Sequence, residues 1–185
     1  MKKLAYAAVA ALLIAAPVRA DVVDYAELFG GASMSPDLGW GSGSYEMDTG
    51  FNLGASLGWN VAPNISVEAE FYYDQSDYSC CAPNNLESFS MMANGFYNFP
   101  TTMSVRPYVG AGIGYMQLTY DSPPDYQLSD WVFAYQGIAG LDIPADGNLD
   151  FILEYRYRGS NDAEDGGLTF EYESHALSAG IRINL

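Results

Sequence analysis

His175, the only histidine of the chain, stands three residues before Ser178 in a chain rich in acidic residues. A hydroxyl, an imidazole and a carboxylate are the parts of a nucleophilic hydrolase, and in a cell envelope the substrate class would be lipid esters. The chemistry needs the hydroxyl within hydrogen-bond reach of the base. Residues three apart on a β-strand point to opposite faces. His175 therefore reads as an interfacial side chain at a strand end, and no catalytic residue is expected.

Two other constellations invite chemistry. Cys80 and Cys81 are adjacent and are the only cysteines. In an exported chain they can form a vicinal disulfide, bond to another chain, or be a simple loop feature. Two thiols without a neighbouring histidine make a poor metal site. Asn161 to Gly167 reads Asn-Asp-Ala-Glu-Asp-Gly-Gly, like the start of a calcium loop. With Gly166 as the loop glycine, Ala163 falls on a ligand position and Tyr172 on the position of the bidentate glutamate, so the register fails. Neither metal nor cofactor is expected.

A third set carries charge rather than reactivity. Glu68, Glu70, Glu154, Arg156, Arg158 and Arg182 alternate with large apolar residues in stretches of period two. The pattern is plainest from Trp131 to Arg158. In its first run Trp131, Phe133, Tyr135, Ala139, Leu141 and Ile143 oppose Ala134, Gln136, Gly140 and Asp142; in its second, Leu149, Phe151, Leu153, Tyr155 and Tyr157 oppose Asp150, Glu154, Arg156 and Arg158. Period two is a β-strand, and the connection Ile143-Pro144-Ala145-Asp146-Gly147-Asn148 makes the pair a hairpin. The face of glycine, alanine, glutamine and paired charges packs badly as a soluble core but suits the narrow interior of a small barrel. The bulky face then looks outward, and lipid rewards that. Opposite charges are expected to meet across the lumen, Arg156 and Arg182 with two or more of Glu68, Glu70 and Glu154. Gly110, Gly112 and Gly114 are expected to leave room for water.

The elements that must position these residues number eight: roughly Val22 to Ala32, Thr49 to Val61, Ile65 to Ser76, Glu87 to Phe99, Ser104 to Tyr120, Trp131 to Ile143, Leu149 to Gly159 and Ser174 to Leu185. One parity holds Phe51, Leu53, Trp59, Ile65, Val67, Met91, Tyr97, Val109, Ile113, Leu177 and Ile183; the other holds Asn52, Ser56, Asn94, Asn98 and Ser178. Trp59, Tyr97 and Phe99 fall near one end, and Trp131, Tyr73 and Tyr157 near the other, as two aromatic girdles would. Ala62 to Asn64, Pro100 to Met103 and Pro144 to Asn148 are short connections, whereas Ser33 to Asp48, Asp77 to Leu86, Asp121 to Asp130 and Ser160 to Glu173 are long. Alternating short turns and long loops is the outer-membrane pattern, with the long loops outside the cell.

Residues 1–20 read as a signal peptide: Lys2 and Lys3, an apolar run from Leu4 to Ala16, then Val18-Arg19-Ala20. The run is shorter than the ~20 residues a spanning helix needs. Residues 21–185 form one barrel domain. Cleavage would leave four basic residues against 23 acidic ones, a net charge of −19 with no lysine. Nucleic acid is excluded as a partner by that charge.

Arg106 to Tyr115 (RPYVGAGIGY), Phe133-Ala134-Tyr135-Gln136 with Gly140-Leu141-Asp142, Glu154-Tyr155-Arg156-Tyr157, and Gly180-Ile181-Arg182-Ile183 together resemble the small outer-membrane β-barrel family. That family includes the transmembrane domain of outer-membrane protein A and the opacity-type surface proteins, and its wider grouping carries a porin label. The resemblance implies a closed, eight-stranded, antiparallel up-and-down transmembrane barrel delivered by the outer-membrane assembly machinery. Members commonly end in an aromatic residue that this machinery reads; the last residue here is Leu185.

The expected function is structural and surface-interacting, with four acidic loops displayed over a lumen filled by side chains. Asp37, Glu46, Asp48, Asp74, Asp77, Glu87, Asp121, Asp125, Asp130, Asp162, Glu164, Asp165, Glu171 and Glu173 would make an acidic rim against Arg158 alone. Such a rim meets lipopolysaccharide phosphates through divalent cations bound weakly and diffusely. The extracellular partner is open. The rival classes are a lipid-modifying enzyme, a small-solute pore, and a secreted lipocalin-type barrel, which would need the bulky face inside.

Overall fold

A computed structural model describes residues 23–34, 38–40, 43–45, 49–77, 85–122, 126–161, 163–165, 168–170 and 172–185. The signal-peptide segment and the Cys80–Cys81 pair lie outside those residues. Eight long strands follow in order: β1 (Tyr25–Met34), β2 (Gly50–Ala62), β3 (Ile65–Asp77), β4 (Asn85–Asn98), β5 (Arg106–Ser122), β6 (Tyr126–Pro144), β7 (Leu149–Ser160) and β8 (Glu173–Asn184). Each pairs antiparallel with its neighbours in sequence, and β1 closes on β8 from Tyr25↔Asn184 to Met34↔His175. No sheet edge remains in the closed wall, which a strand-built membrane protein requires because lipid offers no partner to a bare backbone group. Among the described residues no helix is long and apolar enough to cross a membrane.

The alternation in sequence becomes inside and outside. Along β7, Phe151, Leu153 and Tyr155 are exposed on the outer wall while Asp150, Ile152, Glu154, Arg156 and Arg158 are buried. On β6, Trp131, Phe133, Tyr135 and Leu141 face out while Val132, Ala134, Gln136, Ile138 and Asp142 face in. The wall is therefore an apolar belt wrapped round a polar interior, the inverse of a soluble barrel. Aromatic rings gather at its two ends, Tyr97 edge-on to Phe99 at 5.2 Å at one and Phe51 against Tyr73 at 5.9 Å at the other.

The short connections hold their sequence positions. In the β6–β7 hairpin Gly147 takes a φ of 77°, the only positive φ among the described residues, and this is where Asp-Gly chemistry permits a tight reversal. A bulge between Asn60 and Ala62 shifts the β2–β3 register just before Pro63. One long loop is shorter than the sequence suggests. The stretch from Asp121 to Asp130 continues β5 and β6, which stay paired up to Ser122↔Tyr126.

The interior is not the uniformly small and polar face that the sequence pattern suggests. Tyr25, Phe29, Tyr72, Phe96 and Tyr108 are buried in the lumen. Four of these rings lie on glycines directly across in register: Tyr25 on Gly58, Phe29 on Gly54, Phe96 on Gly110 and Tyr108 on Gly140. A Cβ at any of those glycines would collide with the ring. Narrow barrels fit large inward groups by placing them beside absent ones. For the same reason Gly110 and Gly112 do not leave space for water: the Phe96 ring and the Asn94 carboxamide fill it, and Gly114 lies against Met92 and the β4 backbone.

Candidate functional site: the charged lumen

The inward parity of β3 and β7 puts Glu70 and Arg156 on facing walls. The Arg156 guanidinium crosses the lumen, with Nη1 donating to Glu70 Oε2 at 2.5 Å and Nη2 and Nε donating to Glu154 Oε2 at 2.6 and 3.0 Å. Its Cζ lies 4.1 Å from the centroid of Phe29, so one face is covered by an aromatic ring. The remaining carboxylate oxygens are met in turn. Glu70 accepts from Asn94 and Gln136 at 3.0 Å each, and Glu154 accepts from Tyr108 at 2.7 Å. Arg156 and both carboxylates are fully buried. This layer ties β3, β4, β5, β6 and β7 together through side chains alone.

A second layer sits nearer the short turns. Arg182 donates to Glu27 Oε1 at 2.5 Å and to Asp142 Oδ2 at 2.7 Å, while Glu68 stands 3.9 Å away. Of the carboxylates expected from sequence, Glu70 and Glu154 go to Arg156 and only Glu68 reaches Arg182, whose nearest partners are Glu27 and Asp142. Parity says which side of the wall a residue faces but not its height, and height decides which charges meet. Glu68 instead accepts from Tyr25 OH at 2.8 Å. Arg106, half-exposed at the rim, spans Asp142 at 3.1 Å and Asp150 at 2.7 Å, and Asn184 donates to Asp150 at 3.0 Å.

Arg158 belongs to neither layer. It is 1% exposed, facing the lumen as its inward parity requires and not the outer rim, where its place beside a loop also counted it. It donates to Ser90 across the lumen and stacks 3.9 Å over Tyr72. Asp74, also placed on the rim by sequence, is buried in the same outer half of the lumen. Their strand-end positions suggest loops, but inward parity continues to Ser76 in β3 and Arg158 in β7.

His175 and Ser178 are separated by the wall. Tyr155 OH and His175 Nδ1 share a hydrogen bond of 2.7 Å on the outer surface, where the imidazole lies stacked on the Tyr155 ring. Ser178 is buried inside and donates to Asn52 at 2.8 Å. No group of three or more histidine, cysteine or acidic side chains able to hold a metal occurs among the described residues.

This geometry has relatives. A family model described as the outer membrane protein beta-barrel domain matches residues 6–182. The chain belongs to that family. An outer membrane protein of Gluconacetobacter diazotrophicus is 28% identical over 165 residues, covering 76% of this chain and 43% of the relative, so the chain spans less than half of that protein. Among solved structures, Neisserial surface protein A superposes with a TM-score of 0.66 at 19% identity, covering 87% of this chain and 96% of that one. OprG of Pseudomonas aeruginosa gives 0.57 at 13% identity over 88% and 96% of the two chains. Ail, the attachment invasion locus protein of Yersinia pestis, gives 0.51 at 16% identity over 88% and 100%. At these identities the structures share the fold. This outer-membrane barrel therefore resides in the outer membrane, its apolar belt in lipid and its charge layers in the lumen.

Proposed function

We propose that this outer-membrane barrel is a structural and surface-interaction protein, not an enzyme and not a general diffusion pore. The observation that carries the reading is the Arg156 layer. A fully buried guanidinium bonded to Glu70 on the facing wall and Glu154 on its own strand spans the interior at mid-height. An eight-stranded wall leaves only enough interior for such side chains. A hydrolase reading finds no support, since His175 and Ser178 lie on opposite faces of β8.

The surface role rests on the long acidic connections at the end opposite the short turns. Their charge favours a cationic partner, or lipopolysaccharide phosphates bridged by divalent cations held diffusely. Membership of the family supports delivery by the outer-membrane assembly machinery. Planar-bilayer recording is the test. Absence of large, stable conductance steps is expected, and a reproducible open channel of porin size would overturn the reading.

A further inference from the structure

The outer wall carries one polar arrangement that neither the lumen nor the apolar belt requires. His175 is the third residue of β8, opposite Tyr157 on β7 and Met34, the last residue of β1. Glu173 shares its outward parity and is exposed, as is the apolar Leu177 on the other side of it. Lipid tails penalise a charge on this face, so the hydrocarbon boundary falls between Glu173 and Leu177. His175 therefore stands at headgroup height. Two rings hold its imidazole: Tyr155 is stacked at 6.0 Å with an interplanar angle of 29°, and Tyr157 lies 5.3 Å away. Tyr155 OH occupies Nδ1 at 2.7 Å, and Nε2 has no hydrogen-bond partner among the described residues.

When the Tyr155 hydroxyl donates to Nδ1 the ring proton sits on Nε2, and a protonated imidazole carries one there as well. The remaining basic side chains of residues 21–185 are Arg106, Arg156, Arg158 and Arg182, and all four are engaged by partners in the lumen or at its mouth. His175 is thus the one basic donor that the described wall offers to the membrane. Glu173, two residues away on the same face, is met by Tyr157 OH, which donates to its Oε1 at 2.6 Å. We propose that this face binds a phosphomonoester on the sugar headgroup of lipopolysaccharide, His175 Nε2–H donating to a phosphate oxygen with the Tyr155 and Tyr157 rings fixing the imidazole. A phosphomonoester carries about two negative charges, more than the diester of a phospholipid, and so answers a single donor more strongly. Toward mid-wall the exposed Leu177, Ala179 and Ala32 give an acyl chain of the same molecule an apolar surface. The contact needs no divalent cation, which separates it from diffuse bridging at the acidic loops. It rests on the placement of the long connections outside the cell.

The test uses the full barrel without a histidine tag, so that His175 gives the only histidine signal, labelled with 15N-histidine in phosphatidylcholine nanodiscs containing EDTA. Added lipid A should shift the imidazole Nε2 resonance saturably. Lipid A stripped of its phosphates should bind about tenfold or more weakly, the loss expected for a hydrogen bond to a charged group, and phosphatidylglycerol should also bind more weakly. Native mass spectrometry of the lipid A retained per barrel then reads the variants. His175→Ala should lower retention by about tenfold, His175→Lys should keep most of it, and Glu173→Gln should cause no loss. Heat-modifiable gel mobility verifies that each variant has folded. The proposal fails if lipid A causes no saturable shift, or if phosphatidylglycerol binds as well as lipid A. A shift that appears only when calcium replaces EDTA assigns the contact to cation bridging, which overturns the proposal and leaves the surface role standing. A resonance that moves with the number of barrels per disc, and not with lipid A, assigns this face to a second copy of the chain and also overturns it.

Discussion

Replacing Arg156 with alanine removes the one cation that neutralises two buried carboxylates at the middle of the lumen. Glu70 and Glu154 stand 2.5 and 2.6 Å from its nitrogens and have no water-facing surface to relax toward. Breaking a buried pair by deleting one partner costs roughly 3–5 kcal/mol, because the remaining charge is left uncompensated. Loss of the stack on Phe29 adds on the order of 1 kcal/mol. The expected destabilisation is therefore about 4–6 kcal/mol, a large share of a domain's total stability. The triple variant Glu70→Gln, Arg156→Met, Glu154→Gln leaves no charge behind and should cost less than the single change, which a merely steric role for Arg156 does not predict. Urea-induced unfolding in lipid vesicles, followed by tryptophan fluorescence, measures both. A single variant whose unfolding free energy stays within about 0.5 kcal/mol of the parent refutes the reasoning, as does a triple variant weaker than the single.

Three further outcomes follow from the lumen and the wall. Gly54→Val and Gly140→Val should each destabilise by roughly 1–3 kcal/mol through collision with Phe29 and Tyr108, and Phe29→Ala should relieve the first but not the second; urea titration of the double variants checks this. Ile113→Arg, on the exposed outer face of β5, should cost about 2–4 kcal/mol in a bilayer if the site lies near the midplane, and much less at the wall's ends. Calcium titration should show weak, multi-site binding to the acidic loops, and a single tight stoichiometric site in calorimetry would contradict diffuse binding.

Much of the architecture was legible because a barrel wall enforces period two along its whole length. Phe151, Leu153 and Tyr155 announce the lipid side of β7, and Glu154 and Arg156 the lumen, with no knowledge of any other strand. What parity cannot give is height. Arg182 meets Glu27 and Asp142 because strand tilt and stagger bring β1, β6 and β8 to one level, and that level is absent from local sequence. A place beside a loop puts Asp74 on the rim and counts Arg158 there as well as on the inward face, yet both keep the inward parity of Tyr72 and Arg156 and are buried. The buried rings were missed for a related reason: Phe29 and Tyr108 break the rule that inward means small. Their signal was available in the glycines that face them, Gly54 and Gly140, once neighbouring strands are set in register.

Which face of the wall meets lipid separates this barrel from a soluble one. Nitroxide labels placed singly on β6 in a Cys80→Ser, Cys81→Ser background and reconstituted in lipid vesicles test it directly, read by oxygen accessibility in electron paramagnetic resonance. Labels at Phe133, Tyr135, Ala139 and Leu141 should be oxygen-accessible and mobile, and labels at Val132, Ala134 and Ile138 inaccessible and immobilised. The reverse pattern, or equal accessibility along β6, would contradict a lumen packed with charge inside an apolar belt.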